Sequence, residues 1–212
     1  MKLGFIGTGN VGGTLARKLG QKGHSIFLGS RNPSDPEIQA LAGKIGSHAS
    51  VHPVLEAAAA AEILFIATPW SATEEAVRSL KGAKGKILID CTNPLKSDLS
   101  GLTTEANHSG GELVQSWAPD AQVIKAFNTT GYNIMADPVI DGHRAVMYFC
   151  GNDAEAKFKV QSLIQDVGFE PVDAGPLSSA RLLEPFALLW ISSAYRFGLG
   201  RDFAFGLLRK KS

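Results

Sequence analysis

Two rhythms alternate along this chain. Short, largely apolar runs occur at residues 2–6, 26–28, 63–67, 87–89, 123–128 and 145–150, with a weaker one at 49–51 and a last one at 169–173. Between them apolar residues return every three or four positions. Val11, Leu15 and Leu19 share one helical face, and Ala72, Ala76 and Leu80 share another. The run Ile63-Leu64-Phe65-Ile66-Ala67 has no polar position on either face. That suits a parallel strand covered by helices on both sides better than a half-exposed antiparallel one. Helices are predicted over 37–42, 54–61, 71–80, 112–117 and 153–167, with Asp153 as an N-cap and Glu74 and Glu75 in a first turn. Pro33 and Pro36 break the chain after Arg31, and 96–111 reads as a polar loop. Strands alternating with helices predict an α/β fold with a doubly wound, mostly parallel sheet.

After Ala174-Gly175-Pro176 the rest of the chain reads as helix. Leu182, Leu183, Phe186, Leu189, Trp190 and Ile191 form a wide apolar band, followed by Phe197, Phe203, Phe205, Leu207 and Leu208. Such a tail is too apolar for an exposed surface helix. It must cover the sheet, a cleft or a second subunit. Residues 1–175 are therefore expected to form a nucleotide-binding domain, with 176–212 a helical lid or a homodimer contact.

The first strand runs into Gly7-Thr8-Gly9-Asn10-Val11-Gly12, a G-x-G-x-x-G between a strand and a helix. In this context the motif is the dinucleotide fingerprint of a Rossmann-type unit. Gly7 permits the tight turn, Gly9 admits the pyrophosphate to the backbone, and Gly12 lets helix and strand pack closely. The start of the helix then faces the phosphates. The second strand decides which dinucleotide binds. It ends in Gly29-Ser30-Arg31, and no carboxylate follows until Asp35. An NAD site usually places an acidic residue there for the ribose 2′-hydroxyl. Ser30 and Arg31 suit a 2′-phosphate instead, so NADP(H) is the expected cofactor.

Composition narrows the field. With 212 residues and a formal charge of +1, nothing points to nucleic acid or an anionic membrane surface. No apolar run approaches the ~18 residues of a membrane span. The first residues read as core strand rather than as a cleaved leader. Cys91 and Cys150 sit at strand ends and read as buried thiols, as in a reducing cytoplasm. His24, His48, His52, His108 and His143 are scattered, are expected in turns and on the surface, and suggest no metal site.

In an open α/β sheet the ligand sits beyond the carboxyl ends of the strands. Besides the glycine loop and Ser30-Arg31, those ends are Thr68-Pro69-Trp70, Asn93-Pro94 and Phe127-Asn128-Thr129. Gly7, Thr8, Gly9, Asn10, Val11, Gly12, Ser30, Arg31, Thr68, Pro69, Asn93 and Pro94 are the expected cofactor contacts. Trp70, Phe127, Asn128, Thr129, Gly175 and Pro176 are the expected contacts of a second, flat substrate, with Gly131 another small group for the space between the rings. No catalytic acid–base pair is assigned, and no Tyr-x-x-x-Lys occurs. Lys125 could point into the cleft or to solvent, and Asp90 could be a carboxylate held by backbone donors. Hydride transfer between a nicotinamide and a flavin-like ring needs alignment more than protein acids. Two other readings stand beside it: reduction of a small imine or carbonyl, and a NADP-binding redox sensor without turnover. Only 36 residues follow Pro176, short for the long helical domain that imine and carbonyl reductases append.

The chain resembles the NADP oxidoreductases that depend on the deazaflavin coenzyme F420. The matching pieces are the glycine loop, Gly29-Ser30-Arg31, Thr68-Pro69-Trp70, Cys150-Gly151-Asn152-Asp153 and Asp173-Ala174-Gly175-Pro176-Leu177. The resemblance implies a Rossmann domain, a homodimer, NADP(H) on Thr8, Ser30 and Arg31, and a deazaflavin stacked on the nicotinamide. Archaeal members carry histidine where this chain has Asn128. The Phe-Asn variant resembles a bacterial branch and the cytosolic domain of membrane ferric reductases. The second substrate could thus be coenzyme F420, FAD or FMN, or another acceptor.

Overall fold

A computed structural model describes residues 1–80, 83–105 and 107–210. The first half contains β1 (Lys2–Ile6), α1 (Asn10–Gln21), β2 (Ser25–Ser30), α2 (Pro36–Ile45), β3 (Ala49–Pro53), α3 (Val54–Ala60), β4 (Ile63–Ile66), α4 (Trp70–Ser79) and β5 (Ile87–Asp90). Then follow α5 (Gly110–Trp117), β6 (Gln122–Lys125), α6 (Tyr132–Ala136), a two-residue hairpin β7 (Val139–Ile140) and β8 (His143–Arg144), and β9 (Val146–Gly151). The chain closes with α7 (Ala154–Val167), β10 (Glu170–Asp173), a short 3-10 turn (Leu177–Ser179) and α8 (Ala180–Tyr195).

Eight strands form one sheet in the order β10-β9-β6-β5-β4-β1-β2-β3. The six strands from β3 to β6 are parallel. β9 then runs antiparallel to β6, and β10 parallel to β9. The unbroken apolar runs divide between two cores once folded. Leu3, Phe5, Ile63, Phe65, Ile87 and Ile89 face one layer; Ile6, Leu64, Ile66 and Leu88 face the other. The period of two is present but hidden, because both faces are dry. Phe5 and Phe65 stack at 4.5 Å on neighbouring strands, and Phe127 tilts onto Phe65 at 6.0 Å. Each such ring contributes about 1.5–3 kcal/mol by leaving water.

Helices α1, α2, α6 and α7 pack together on one side, and α4, α5 and α8 on the other. Lys86 closes the end of α3: its Nζ donates to the carbonyls of Ala58, Ala59 and Ala61 at 2.6, 3.0 and 2.6 Å. His24 departs from its expected surface place. It is buried and held between the N-terminal amine and Asp166 Oδ2, 3.0 Å away. The tail also departs from expectation. Helix ends at Tyr195, and 196–210 continues without regular structure. Gly198 and Gly200 take positive φ there and stop the helix. Phe203 and Phe205 turn back instead, the first stacking on Trp190 and the second tilting onto Phe186. Lys211 and Ser212 lie outside the described residues.

Candidate functional site

The parallel strands deliver their carboxyl ends to one edge of the sheet. Gly7 turns the chain out of β1 with φ +97°, and an added Cβ there would meet the Ala67 backbone. A Cβ on Gly12 would strike the Gly7 carbonyl, so the glycine is what seats α1 on the turn. Gly9 differs. A Cβ there would meet nothing within 4 Å. It faces open space, the room that a phosphate needs beside helix amides. Helix α1 has no side-chain cap and no acidic residue in its first turn. The starts of α4 and α6 are likewise bare, whereas α2, α5 and α7 are capped by Asp35, Ser109 and Asp153. An uncapped, carboxylate-free helix start at an open cradle fits a pyrophosphate.

A cleft of about 570 Å³ opens beside this cradle, lined by Gly7, Thr8, Ser30, Arg31, Thr68, Pro69 and by Ala72 and Ala76 of α4, with the carboxylates Asp35 and Glu75 also in its wall. Ser30 Oγ both donates to the Asn32 carbonyl and accepts from the Asn32 amide, at 2.9 and 3.1 Å, which shapes the turn after β2. Arg31 is exposed and makes no ion pair among the described residues. The first carboxylate along the chain, Asp35, accepts from the Glu37 amide as the cap of α2. A second groove of about 510 Å³ lies across the loop, where Thr8, Asn10 and Ser30 meet Arg17, Tyr132 and Asn133. Asn10 and Val11 form the first turn of α1.

Further along the same edge, Asn93 and Asn128 bond reciprocally. Asn93 Nδ2 donates to the Asn128 carbonyl at 2.8 Å, and Asn128 Nδ2 donates to Asn93 Oδ1 at 3.0 Å. Pro94 is buried beside them, its carbonyl accepting from the Thr103 amide and hydroxyl. Phe127 and Thr129 flank Asn128 but turn inward. The Phe127 side chain is fully buried, and Thr129 Oγ1 donates to Met147 Sδ. Their side chains are core, contrary to the expected ring contacts. The cause is local: Phe127 takes φ +59°, a left-handed kink beyond β6 that costs on the order of 1–3 kcal/mol. Trp70 starts α4 and spends its ring on Trp117, 5.5 Å away, and on Gly110. Gly131 makes room for Trp190 of α8 rather than for a ligand; a Cβ there would lie 2.5 Å from the indole.

Gly175 and Pro176 are not brought to this edge. β9 and β10 run against β6 on its outer side, away from β1, β2 and β4, and neither residue lines the clefts described above. The Gly175 carbonyl accepts there from the Gly151 amide, and Gly151 is paired with Ile124. From β10 the chain passes through Leu177 into α8.

Helix α8 explains Lys125, which points neither into the cleft nor to solvent. It is fully buried, with Nζ 2.8 Å from Asp90 Oδ2, 2.9 Å from Glu184 Oε1 and 2.6 Å from the Thr92 carbonyl. Asp90 Oδ1 accepts from the Thr92 amide and hydroxyl. Glu184 also accepts from the amides of Gly110 and Gly111 at 2.9 and 3.0 Å. Burial works against the lysine's charge, but Asp90 and Glu184 more than offset it and hold the ammonium above its ordinary range. Sequence reasoning missed Glu184. The available signal was one carboxylate inside the apolar band 182–191.

Residues 2–94 match the model of the family described as NADP oxidoreductase, coenzyme F420-dependent. A crystal structure of a putative F420-dependent NADP reductase from an Arthrobacter species agrees with a TM-score of 0.87. It is 31% identical, over 99% of this chain and 100% of that one. The chain belongs to this family of NADP oxidoreductases. The F420-dependent NADP reductase of Methanothermobacter marburgensis is 28% identical over 209 residues, covering 91% of this chain and 92% of that protein. Metalloreductase STEAP3 of Rattus norvegicus is 33% identical over 193 residues. That alignment covers 91% of this chain and 37% of the relative, so the chain spans little more than a third of the metalloreductase. The family match covers β1 to β5 and ends at Pro94. The cradle, Ser30-Arg31, Thr68-Pro69 and Asn93 lie within it. Asn128, Lys125 and Glu184 lie beyond it. Among the described residues no helix is long and apolar enough to cross a membrane, and no cluster could hold a metal.

Proposed function

We propose that this chain binds NADP(H) at the edge formed by β1, β2 and β4 and passes hydride from it to a flavin-like ring, coenzyme F420 or a flavin. One observation carries the reading: β2 ends on Ser30 and on Arg31, which has no ion pair among the described residues, at a cleft that shares Thr8 and Ser30 with the groove at the uncapped start of α1. Ser30, Arg31 and Thr8 hold the 2′-phosphate, the amides after Gly9 hold the pyrophosphate, and Thr68 and Pro69 border the ribose. Asn93 and Asn128 take the ring end. NADPH supplies the hydride when bound; the chain's part is to bind it, orient it and admit a second flat molecule. No catalytic acid is assigned at this edge among the described residues, and hydride transfer to a partner that carries its own chemistry needs none.

Titration with NADPH and NADH, followed by turnover with coenzyme F420, FMN, FAD, a ferric chelate and cyclic imines, tests the reading. Tight NADPH binding with oxidation by a deazaflavin or flavin is the expected result. Oxidation by an imine alone would place the chain among imine reductases, and binding without any turnover would make it a sensor. NADH bound as tightly as NADPH would remove the basis of the assignment.

The same reading makes the chain a cytoplasmic homodimer. Leu182, Leu189, Phe197 and Leu199 are 51–70% exposed on and just beyond α8, an apolar strip suited to a second copy. Light scattering should give twice the 22.5 kDa chain mass. A monomer at micromolar concentration would refute the dimer.

A further inference from the structure

We propose that Glu184 is a positioning residue of this site, setting which end of the Asn128 carboxamide is presented to the bound ring. This rests on the hydride-transfer reading above only for its activity arm. Asn128 is buried, and its Nδ2 donates to two acceptors, Asn93 Oδ1 at 3.0 Å and the Leu183 carbonyl at 3.3 Å. A backbone carbonyl can only accept, so it fixes the amide with nitrogen toward α8. The oxygen is left over. Among the described residues Asn128 Oδ1 is buried and has no hydrogen-bond partner. A buried carbonyl of this kind calls for an N–H donor, such as a carboxamide or a ring N–H of a ligand.

Leu183 is held where it is by the next residue. Glu184 Oε1 meets Lys125 Nζ at 2.9 Å, and its two oxygens receive the Gly110 and Gly111 amides. Lys125 in turn grips the Thr92 carbonyl, one residue before Asn93. One carboxylate thus ties α8, the start of α5 and the ends of β5 and β6 together around the Asn93–Asn128 pair. The glycine pair permits this closeness: a Cβ at Gly110 would lie 3.1 Å from Glu184 Oε1, and one at Gly111 3.1 Å from the Ala180 Cβ. Glu184 touches no ligand in this scheme. It acts through Leu183 and Asn128.

The test is a cycle of Glu184→Gln and Asn128→Ala, alone and together. Glutamine keeps the shape but sets an N–H against the Gly110 amide. Glu184→Gln is expected to slow single-turnover oxidation of NADPH by FMN about tenfold, as sub-ångström misplacement does, with the NADPH Kd within about twofold. In the Asn128→Ala background the same change is expected to add nothing. Equal losses in both backgrounds, or no loss in the first, would overturn the proposal. A second arm needs no turnover. In the cofactor-free protein the Asn128 side-chain amide, assigned from its loss in Asn128→Asp, should exchange with solvent slowly, and at least about tenfold faster in Glu184→Gln. Unchanged protection in folded Glu184→Gln would overturn the proposal while leaving the hydride reading intact. If none of the acceptors oxidises NADPH on the unsubstituted protein, the hydride reading falls and the amide arm alone decides.

Discussion

Replacing Arg31 with alanine should separate recognition of the 2′-phosphate from everything else the cleft does. The side chain is exposed and has no ion-pair partner among the described residues, so its removal orphans no carboxylate. Fold stability should stay within about 0.5 kcal/mol. A charged hydrogen bond to phosphate contributes roughly 1.5–3 kcal/mol, one to two decades in affinity. Exposure to solvent places Arg31 at the lower end of that range, because exposed charges are screened. The NADPH Kd should rise about tenfold in dilute buffer and less at 0.5 M salt. NADH, lacking the phosphate, should bind the variant and the parent alike. Calorimetry with both nucleotides and both proteins closes the cycle. If the two nucleotides lose affinity equally, Arg31 contacts the adenosine and not the phosphate. If neither loses any, the phosphate lies elsewhere and the cofactor assignment fails.

Other expectations follow from the same geometry. Gly9→Ala should leave thermal stability unchanged, since its Cβ meets nothing within 4 Å, yet weaken NADPH binding at least about tenfold by filling the cradle. Gly12→Ala should instead destabilise the fold by about 1–3 kcal/mol, because its Cβ overlaps the Gly7 carbonyl; denaturant titration of the two variants distinguishes these roles. Stability should decline in alkali. Burial pushes the Cys150 thiol from 9.0 up to about 12, and Lys125 is held above 10.5, so the folded chain binds more protons than the unfolded one. That contribution is complete below pH 9.0 and is lost as pH rises through the folded values, at most ~1.4 kcal/mol per unit for each group; a Tm that is flat from pH 8 to 11 would contradict it. Burial raises Cys91 as well, so neither thiol should react with a disulfide reagent at pH 8 until the protein is unfolded.

Much of this was legible in the residues because it is local. The glycine loop, the doubly covered run Ile63–Ile66 and the turn after Ser30 are each set by a few neighbouring positions. The acceptor side was less legible because it is assembled from distant segments. Nothing near Lys125 in sequence announces Glu184, and a continuous apolar run such as Val146–Gly151 does not reveal which way its strand points. Gly175 and Pro176 lie instead beside Gly151 on the outer strands, outside both clefts. Phe127 misled for a different reason: its positive φ swings the side chain into the core and leaves only Asn128 at the edge.

The path of α8 has a consequence for how the molecule comes into being. In the proposed binding mode every residue that holds the nucleotide's phosphates and adenosine precedes Pro94, whereas the ring end waits for Leu183 and Glu184 of the last helix. On that reading a growing chain would complete its nucleotide cradle before its acceptor side. The acceptor side could then diverge through late codons alone, with the cradle for the reductant unchanged.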